Sequence, residues 1–524
     1  MMKKHSKYIL PALGFCCLLF GACVSLEDKT EDAFGRETVL SDDELASKLL
    51  NNAYAPFLEN VNYYNRAFTM PPLLASDDHY FTRPDWPTRA QIDKFTWDPT
   101  EVMYNLFWNA AYKSIASCNT FIDNYTDASD PDFIDNVLGQ AYFLRALNYF
   151  NLVRYYGRVP KITDSKLSIE ESQLIPQSEP DEIYALIVED LLKAQNLKPK
   201  WEAADLGRPS KAAAMALLGK VYLYMASPGG LNKTEYYAES ARIFKEIDVN
   251  RNDLGVGLLP NYQSLFFRSA EYSQEMVFEI GANGPGLIPV LNWVNGQVRP
   301  WIFEDSPLGV AEGWGWYVAE LDLYNSYSNS DARKEVTFET MWIVDLDNGG
   351  AGPLDDTIYY WDLPNVPALT AVTSDNAKVV QDSTPHCGKW RWPVNCTPND
   401  PRDDINVPVI RYADCLLMLA EAELEATGTT AAAYNAINEV RNRAGLPALA
   451  GLSTEQFRDS LRIERRRELA YEECHRWFDI VRWDIHRTLP SLVAKGVGDK
   501  KYFPIPQEAI NKSGGVLVQN PNIP

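Results

Sequence analysis

Residues 132–160 read DFIDNVLGQAYFLRALNYFNLVRYYGRVP, and their apolar members recur at the spacing of an α-helix. The helix would have roughly seven turns at about 3.6 residues per turn. One wide face of it carries Phe143, Ala146, Leu147, Phe150 and Val153. Gly157 is a candidate left-handed C-cap, and Pro160 prevents the helix from resuming. A helix this rich in aromatic residues must bury that face against other helices, so the stretch predicts a helical array.

Similar helical patterns occur on both sides of a loop-rich segment. Before it, helices are predicted at about 41–59, 101–125, 178–196, 211–225 and 234–248, with an irregular stretch at 60–97. After it, they are predicted at about 407–427, 431–444, 454–471 and 474–486. The segment between them holds short strand-like runs and eight of the 14 tryptophans. Helical hairpins of this kind stack on their neighbours as in tetratricopeptide arrays. We therefore predict an all-α fold, a tetratricopeptide-like helical-hairpin array with a loop-rich insert that carries short strands.

The N-terminus has the features of an export signal. Lys3, Lys4 and Lys7 precede an apolar run, residues 8–20, that is too short to span a bilayer. Gly21-Ala22-Cys23 follows it and resembles the bacterial lipobox, in which the cysteine is lipidated. The alternative is an ordinary signal peptide cut near Ala22.

These patterns predict the division of the chain. Residues 1–22 would be a lipoprotein signal peptide, 23–40 a lipidated tether and 41–524 a single domain. Within that domain we expect N-terminal helical hairpins at 41–253, the insert at 254–406, and returning helices with an extended tail at 407–524.

Composition excludes some partners. A formal net charge of -22 would repel nucleic acid and anionic lipid surfaces. Membrane attachment is therefore expected through the lipid anchor only. Cys387 and Cys396 flank a short loop, and an exported protein could oxidise them to a disulfide, with two free thiols as the alternative. The remaining cysteines of helical segments are expected to be small buried hydrophobic residues: Cys118, Cys415 and Cys474.

Two groups of acidic residues could suggest catalysis or metal binding. Asp77-Asp78-His79 could be metal ligands or a hydrolytic acid pair, and the alternative is a solvated loop or a set of backbone caps. Asp414 and Glu421 share one helix face at about 10.5 Å by rise, a spacing near that of an inverting glycosidase. The alternative is pairing with arginines of neighbouring helices.

The run Arg465-Arg466-Arg467 is interleaved with glutamates at helical spacing, which indicates a helix with internal salt bridges. There is no phosphate-binding glycine loop and no zinc-type Cys/His spacing. The sequence therefore predicts no catalytic residues, no cofactor and no metal.

The chain resembles the SusD/RagB family of Bacteroidetes outer-membrane lipoproteins over essentially its full mature length. Beyond the lipobox and the opening stretch, the matching segments are WNAAYKSIASCNTFI (108–122), GRPSKAAAMALLGKVYLY (207–224), IRYADCLLMLAEA (410–422), IERRRELAYEECHRWFDIVRW (463–483), YFPIPQEAI (502–510) and QNPNIP (519–524). Each segment is moderately specific, and their order is highly specific.

The resemblance implies a non-catalytic, surface-exposed nutrient-binding lipoprotein of the outer membrane. Its partner would be a SusC-like TonB-dependent outer-membrane transporter. The ligand implied is an oligosaccharide, with a peptide as the alternative in the same role. A lipid-anchored glycoside hydrolase is the alternative of a different class. The resemblance also implies that Tyr142, Tyr149, Tyr155 and Tyr156 form packing and partner surface.

Ligand contacts are expected in the loops, because aromatic rings suit the C–H faces of sugars and polar neighbours then satisfy the hydroxyls. The candidates lie in sequence rich in Gly, Pro and Asn: Tyr80, Trp86, Trp293, Trp301, Trp314 and Trp316. The alternative is that these rings bury the insert against the helices.

Overall fold

The computed structural model describes residues 43–59, 62–82, 85–125, 130–281, 315–339, 341–344, 357–360, 378–381, 385–390, 405–472 and 474–523. The α-helices of four or more residues before the insert are α1 (Asp43–Tyr54), α2 (Met70–Leu74), α3 (Pro87–Asp93), α4 (Val102–Tyr125), α5 (Gly139–Tyr156), α6 (Ile169–Gln173), α7 (Pro180–Lys193), α8 (Lys211–Ala226), α9 (Tyr236–Val249) and α10 (Arg251–Leu254). The later helices are α11 (Leu321–Ser326), α12 (Lys334–Thr337), α13 (Tyr412–Thr427), α14 (Ala431–Arg443), α15 (Thr454–Glu468), α16 (His475–Arg482), α17 (Pro490–Lys495) and α18 (Gln507–Lys512). The predicted all-α, tetratricopeptide-like fold is confirmed.

The strands are short and pair mostly in twos. They are β1 (His79–Phe81), β2 (Val159–Pro160), β3 (Gln177–Ser178), β4 (Met276–Ile280), β5 (Tyr317–Ala319), β6 (Phe338–Glu339), β7 (Met341–Val344), β8 (Thr357–Tyr360), β9 (Lys378–Gln381), β10 (His386–Cys387) and β11 (Val407–Arg411). Antiparallel pairs form between β1 and β5, β2 and β3, β4 and β11, and β6 and β10. A three-stranded sheet has the order β7-β8-β9, with β8 and β9 parallel.

Helix α5 lies at the centre of the array and is buried on every side. All of its residues from Gly139 to Tyr156 are buried, so the prediction of a single apolar face was wrong. A π-helical turn, Ile134–Leu138, precedes α5 where a continuous α-helix was predicted. The helix ends at Gly157, which has φ +76, and its N–H donates to the Val153 carbonyl at 2.9 Å.

Polar side chains of α5 are satisfied by neighbouring helices. Arg145 makes a bidentate ion pair with Asp190 of α7, at 2.8 Å for both bonds, and donates to Asn119 of α4 at 2.9 Å. The tyrosines that were expected to form partner surface are buried as well, with Tyr149, Tyr155 and Tyr156 at 0% exposure. They therefore serve packing alone.

As predicted, the returning helices pack on the first set, because α13 lies against α9 of that set. Helix α13 also packs on α14, the next returning helix. The predicted start of α13 was wrong, because Val407–Arg411 form strand β11 paired with β4. A short apolar run such as this one can be buried equally well in a strand or in a helix. Its hydrophobicity alone therefore does not distinguish the two. The tail crosses the body, where the Phe503 N–H donates to the Tyr155 carbonyl at 2.9 Å.

The acidic pair on α13 is structural. Asp414 accepts from Arg465 at 2.8 Å and lies 3.4 Å from the Lys220 ammonium, and Glu421 is ion-paired with Arg482. Burial alone would raise the pKa of Asp414, but Lys220 and Arg465 hold it well below its usual range. The arginine-pairing alternative is therefore confirmed for both carboxylates.

The insert is attached to the returning helices by a buried set of charges, which we call the Glu468 cluster. Its members have buried side chains: Glu275, Arg333, Lys389, Arg411, Arg443, Glu464, Glu468 and Glu472. Glu468 lies 2.9 Å from Arg411, 2.5 Å from Arg443 and 3.1 Å from Arg333. The glutamates interleaved with Arg465-Arg466-Arg467 were predicted to form salt bridges with those arginines within the helix, and that prediction was wrong for Glu464 and Glu468. The glutamates reach other elements because their face of α15 is buried, so the partners come from outside the helix.

The cysteines predicted to be buried are buried: Cys118, Cys415 and Cys474. Cys387 is buried on β10, while Cys396 lies outside the described residues, so the disulfide stays a prediction.

Candidate ligand-binding surface

Two of the predicted ligand residues, Trp86 and Trp316, lie side by side although they are far apart in sequence. Their ring centroids are 4.8 Å apart with planes at 63°, an edge-to-face contact. Trp316 is 9% exposed and Trp86 is half-buried. We call this feature the tryptophan pair.

The β1–β5 ribbon brings the tryptophan pair together. Tyr80 lies opposite Val318 in the antiparallel register, and Phe81 stacks on Tyr317 at 5.6 Å. Just beyond the ribbon, the Thr82 N–H donates to the Trp316 carbonyl at 3.0 Å. A segment predicted to be irregular thus contains a strand, because its pairing partner comes from the insert.

Of the other four predicted ligand residues, Tyr80 is the one that the structure describes. Tyr80 is half-buried and, because side chains alternate along a strand, points to the face opposite Phe81. Trp293, Trp301 and Trp314 lie outside the described residues, so their role as ligand contacts stays a prediction.

Sequence reasoning missed Arg89. Its guanidinium carbon lies 3.8 Å from the centroid of the Trp86 ring, a cation–π contact. Trp86 precedes the first residue of α3, and Arg89 follows three residues later. Residues at that spacing meet on a helix surface, so the Trp-Pro-Thr-Arg order contained the signal.

The loop that leads into β1 is held by arginines of the returning helices. Asp77 receives two bonds from Arg476, both at 2.6 Å. Asp78 accepts from Arg466 at 2.6 Å, and Arg466 also reaches Asp322 of α11 at 2.7 Å. Both aspartates are buried, so the solvated-loop alternative for Asp77-Asp78-His79 was wrong. Because the Asp77 and Asp78 carboxylates are both engaged in these ion pairs, the structure does not support the metal-ligand and acid-pair hypotheses for this stretch.

The electrostatics agree with a structural role. Burial alone would raise the pKa of Asp77, but Arg476 lowers it to about 2. Burial, with Lys495 and Arg466 nearby, lowers the pKa of His79 to about 3, so the ring is neutral at physiological pH. The Lys495 ammonium donates to the His79 carbonyl at 3.0 Å and adds a further attachment of β1.

Comparison with known proteins gives the family. The model described as SusD family matches residues 304–496, and a second, described as starch-binding associating with outer membrane, matches residues 26–223. The chain belongs to the SusD/RagB family.

Relatives of this SusD-family protein cover nearly its whole length. SusD-like protein P2 of Formosa agariphila is 27% identical over 91% of this chain and 90% of that protein. A solved structure described as a laminarin-binding SusD-like protein is 26% identical, covers 91% of this chain and 98% of its own, and has a TM-score of 0.69. Surface glycan-binding protein A of Bacteroides thetaiotaomicron, solved with laminarihexaose, is 22% identical, covers 91% and 99%, and has a TM-score of 0.71. At that identity the last likeness shows the fold alone.

The described part of the SusD-family chain contains no group of three or more His, Cys, Asp or Glu side chains placed to hold a metal ion. In the same residues, no helix has the length and apolar character needed to cross a membrane.

Proposed function

We propose that this protein is a cell-surface lipoprotein that captures oligosaccharide and passes it to a SusC-like TonB-dependent outer-membrane transporter. The tryptophan pair carries the proposal, because the half-buried Trp86 ring leaves part of its surface open to a ligand, while the buried Trp316 ring and the Arg89 guanidinium fix its position. A laminarin-binding relative of the same family supports a glycan ligand over a peptide. The geometry does not favour the hydrolase alternative, since its candidate acids, Asp414 and Glu421, are buried in ion pairs.

We expect Trp86→Ala to weaken the binding of laminarihexaose by about tenfold or more, because the ring supplies apolar contact to the sugar. Isothermal titration calorimetry measures the affinity. Tyr222→Ala is the matched control, since Tyr222 is also a half-buried aromatic residue but lies on α8, where it stacks on Tyr236 of α9. Equal affinities in the two variants would contradict the assignment of the site. Heat from a peptide digest alone would favour the peptide ligand, and release of reducing sugar would favour the hydrolase.

Attachment of the protein to the membrane through lipidated Cys23 can be tested separately from ligand binding. Cys23→Ala is expected to move the protein from the membrane fraction to the soluble fraction, because the buried acyl chains supply the attachment at about 0.8 kcal/mol per methylene. Cys118→Ala is the control, since that cysteine is buried inside the fold. A Cys23→Ala protein that still sediments with membranes would overturn the lipobox assignment.

A further inference from the structure

A cleft lies on a part of the molecule separate from the tryptophan pair. It has a volume of about 460 Å³ and is formed by the loop before α8, the α10 segment and strand β4. Pockets for small ligands fall in the range of about 300–1,000 Å³. The aromatic and ionisable side chains that line it include Lys200, Trp201, Arg208, Arg251, Tyr272 and Glu279.

Aromatic side chains line the cleft in fixed positions. The Trp201 indole N–H donates to the Pro209 carbonyl at 3.0 Å, which orients the ring. Tyr272 has φ +57, a conformation that bulky residues rarely adopt. Its hydroxyl lies 2.6 Å from the position a Cβ of Gly281 would take, so a larger residue at 281 would displace the Tyr272 side chain. Backbone strain of this kind concentrates at functional sites.

A buried carboxyl group holds Tyr272 in that conformation. Glu279 is 3% exposed and accepts from the Tyr272 N–H at 2.6 Å and from the Asn406 amide at 3.0 Å. Burial raises the pKa of Glu279 to about 8. The group is therefore uncharged at neutral pH and does not repel an anion.

The cleft is also lined by cations, although the chain as a whole has a net charge of -22. Arg208 pairs with Asp205 at 2.8 Å, and Arg251 pairs with Glu439 at 2.8 Å. Lys200 has no ion pair within 4 Å among the residues that the structure describes. Its side chain lies across Gly255, where a Cβ would come 2.0 Å from Cε. Lys200 is exposed and thus offers an uncompensated positive charge at a cleft that two aromatic side chains also line, Trp201 and Tyr272.

We propose that this cleft is a second saccharide site, specific for a sugar residue that carries an acidic group, either a carboxylate or a sulfate ester. Lys200 binds the acidic group, and Trp201 and Tyr272 cover the apolar faces of the ring. The saccharide class of the ligand rests on the proposed function, while the acidic group follows from the charges of the cleft.

Saturation-transfer NMR tests this with galacturonic acid, glucuronic acid and galactose 6-sulfate, and with galactose and glucose as neutral controls. Transfer is expected to the acidic sugars and not to the neutral ones. Lys200→Met, which keeps the aliphatic chain, should weaken binding by about tenfold, and Lys200→Arg should restore most of it. About 0.5 M sodium chloride should weaken it as well.

The pH dependence gives a second readout. Binding to the wild type should fall between about pH 6.5 and about pH 9.5, because Glu279 ionises as the pH passes through about 8 and then repels the anion. Glu279→Gln should retain binding across that range. Burial raises the pKa of the Tyr272 hydroxyl, so that group stays neutral. Glu271 is the charged group that acts on Glu279, and Lys200, Arg208 and Arg251 line the same cleft.

Trp86→Ala separates this proposal from the first one. Acidic sugars that still bind to Trp86→Ala but not to Lys200→Met support the second site, whatever the result with laminarihexaose. Binding that is lost in Trp86→Ala and kept in Lys200→Met would overturn it. Equal transfer to neutral and acidic sugars, or transfer to none of them, would also overturn it.

Discussion

A Glu468→Gln variant is expected to lose roughly 3–5 kcal/mol of unfolding free energy, because it removes one partner of a buried ionic group. Glu468 is fully buried between the guanidinium groups of Arg333, Arg411 and Arg443. Burial alone would raise the pKa of Glu468, but these arginines hold it well below its usual range. Glutamine keeps the shape but leaves the three cations with too little negative charge.

Urea unfolding followed by circular dichroism measures the loss. Glu189→Gln is the matched control, since Glu189 pairs with Lys193 at 2.7 Å on the surface, with its side chain 63% exposed. That exposed pair should change stability by at most about 0.5 kcal/mol. Equal stability of the two variants would show that the Glu468 cluster does not hold the insert on the helices.

The second large effect is a steep loss of stability in acid. Within the ion-paired groups, burial opposes ionisation, but neighbouring cations lower the pKa of each of these carboxyls: Asp77, Asp414, Glu468, Glu472 and Asp479. A carboxyl whose pKa is lower in the folded state stabilises the protein above its unfolded pKa, and that stability is lost as the pH falls. Each group contributes a slope of up to about 1.4 kcal/mol per pH unit.

The contribution of these five carboxyls should therefore hold from neutral pH to about 4.5 and be lost steeply below it, toward the Asp77 pKa of about 2. Glu279, whose pKa is raised to about 8, acts in the opposite direction and adds stability as the pH falls from about 8 to about 4.5. Thermal unfolding at closely spaced pH values measures the slope. Asp414→Asn should be less stable at neutral pH and should show a shallower slope in acid. A melting temperature that stays constant from about pH 6 to about pH 3 would contradict this account.

Sequence pattern predicted the helical array because helices are local structures. The spacing of apolar residues located α4, α8 and α14 within a few residues. Strand β11 was missed because its partner, β4, lies far away in sequence. The same limit applies to Arg465 and Arg466, whose acidic partners lie on other elements and not at neighbouring helical positions.

The candidate site was predicted only in part. Loop context selected Trp86 and Trp316, but only the β1–β5 pairing shows that they meet. Arg89 had a local signal at helical spacing and could have been found. Nothing local indicated that Asp77 and Asp78 are buried, since their arginine partners follow nearly 400 residues later.

The attachment of the β1 loop by Arg466 and Arg476 bears on how the protein can change over evolutionary time. The contacts that fix the loop use Asp77, Asp78 and Asp322, and neither of the rings proposed to contact a ligand takes part in them. Substitutions at Trp86 or Trp316 would alter the proposed ligand surface without removing an ion pair from the scaffold. A new specificity can therefore arise by mutation of the loops while the helices keep their sequence.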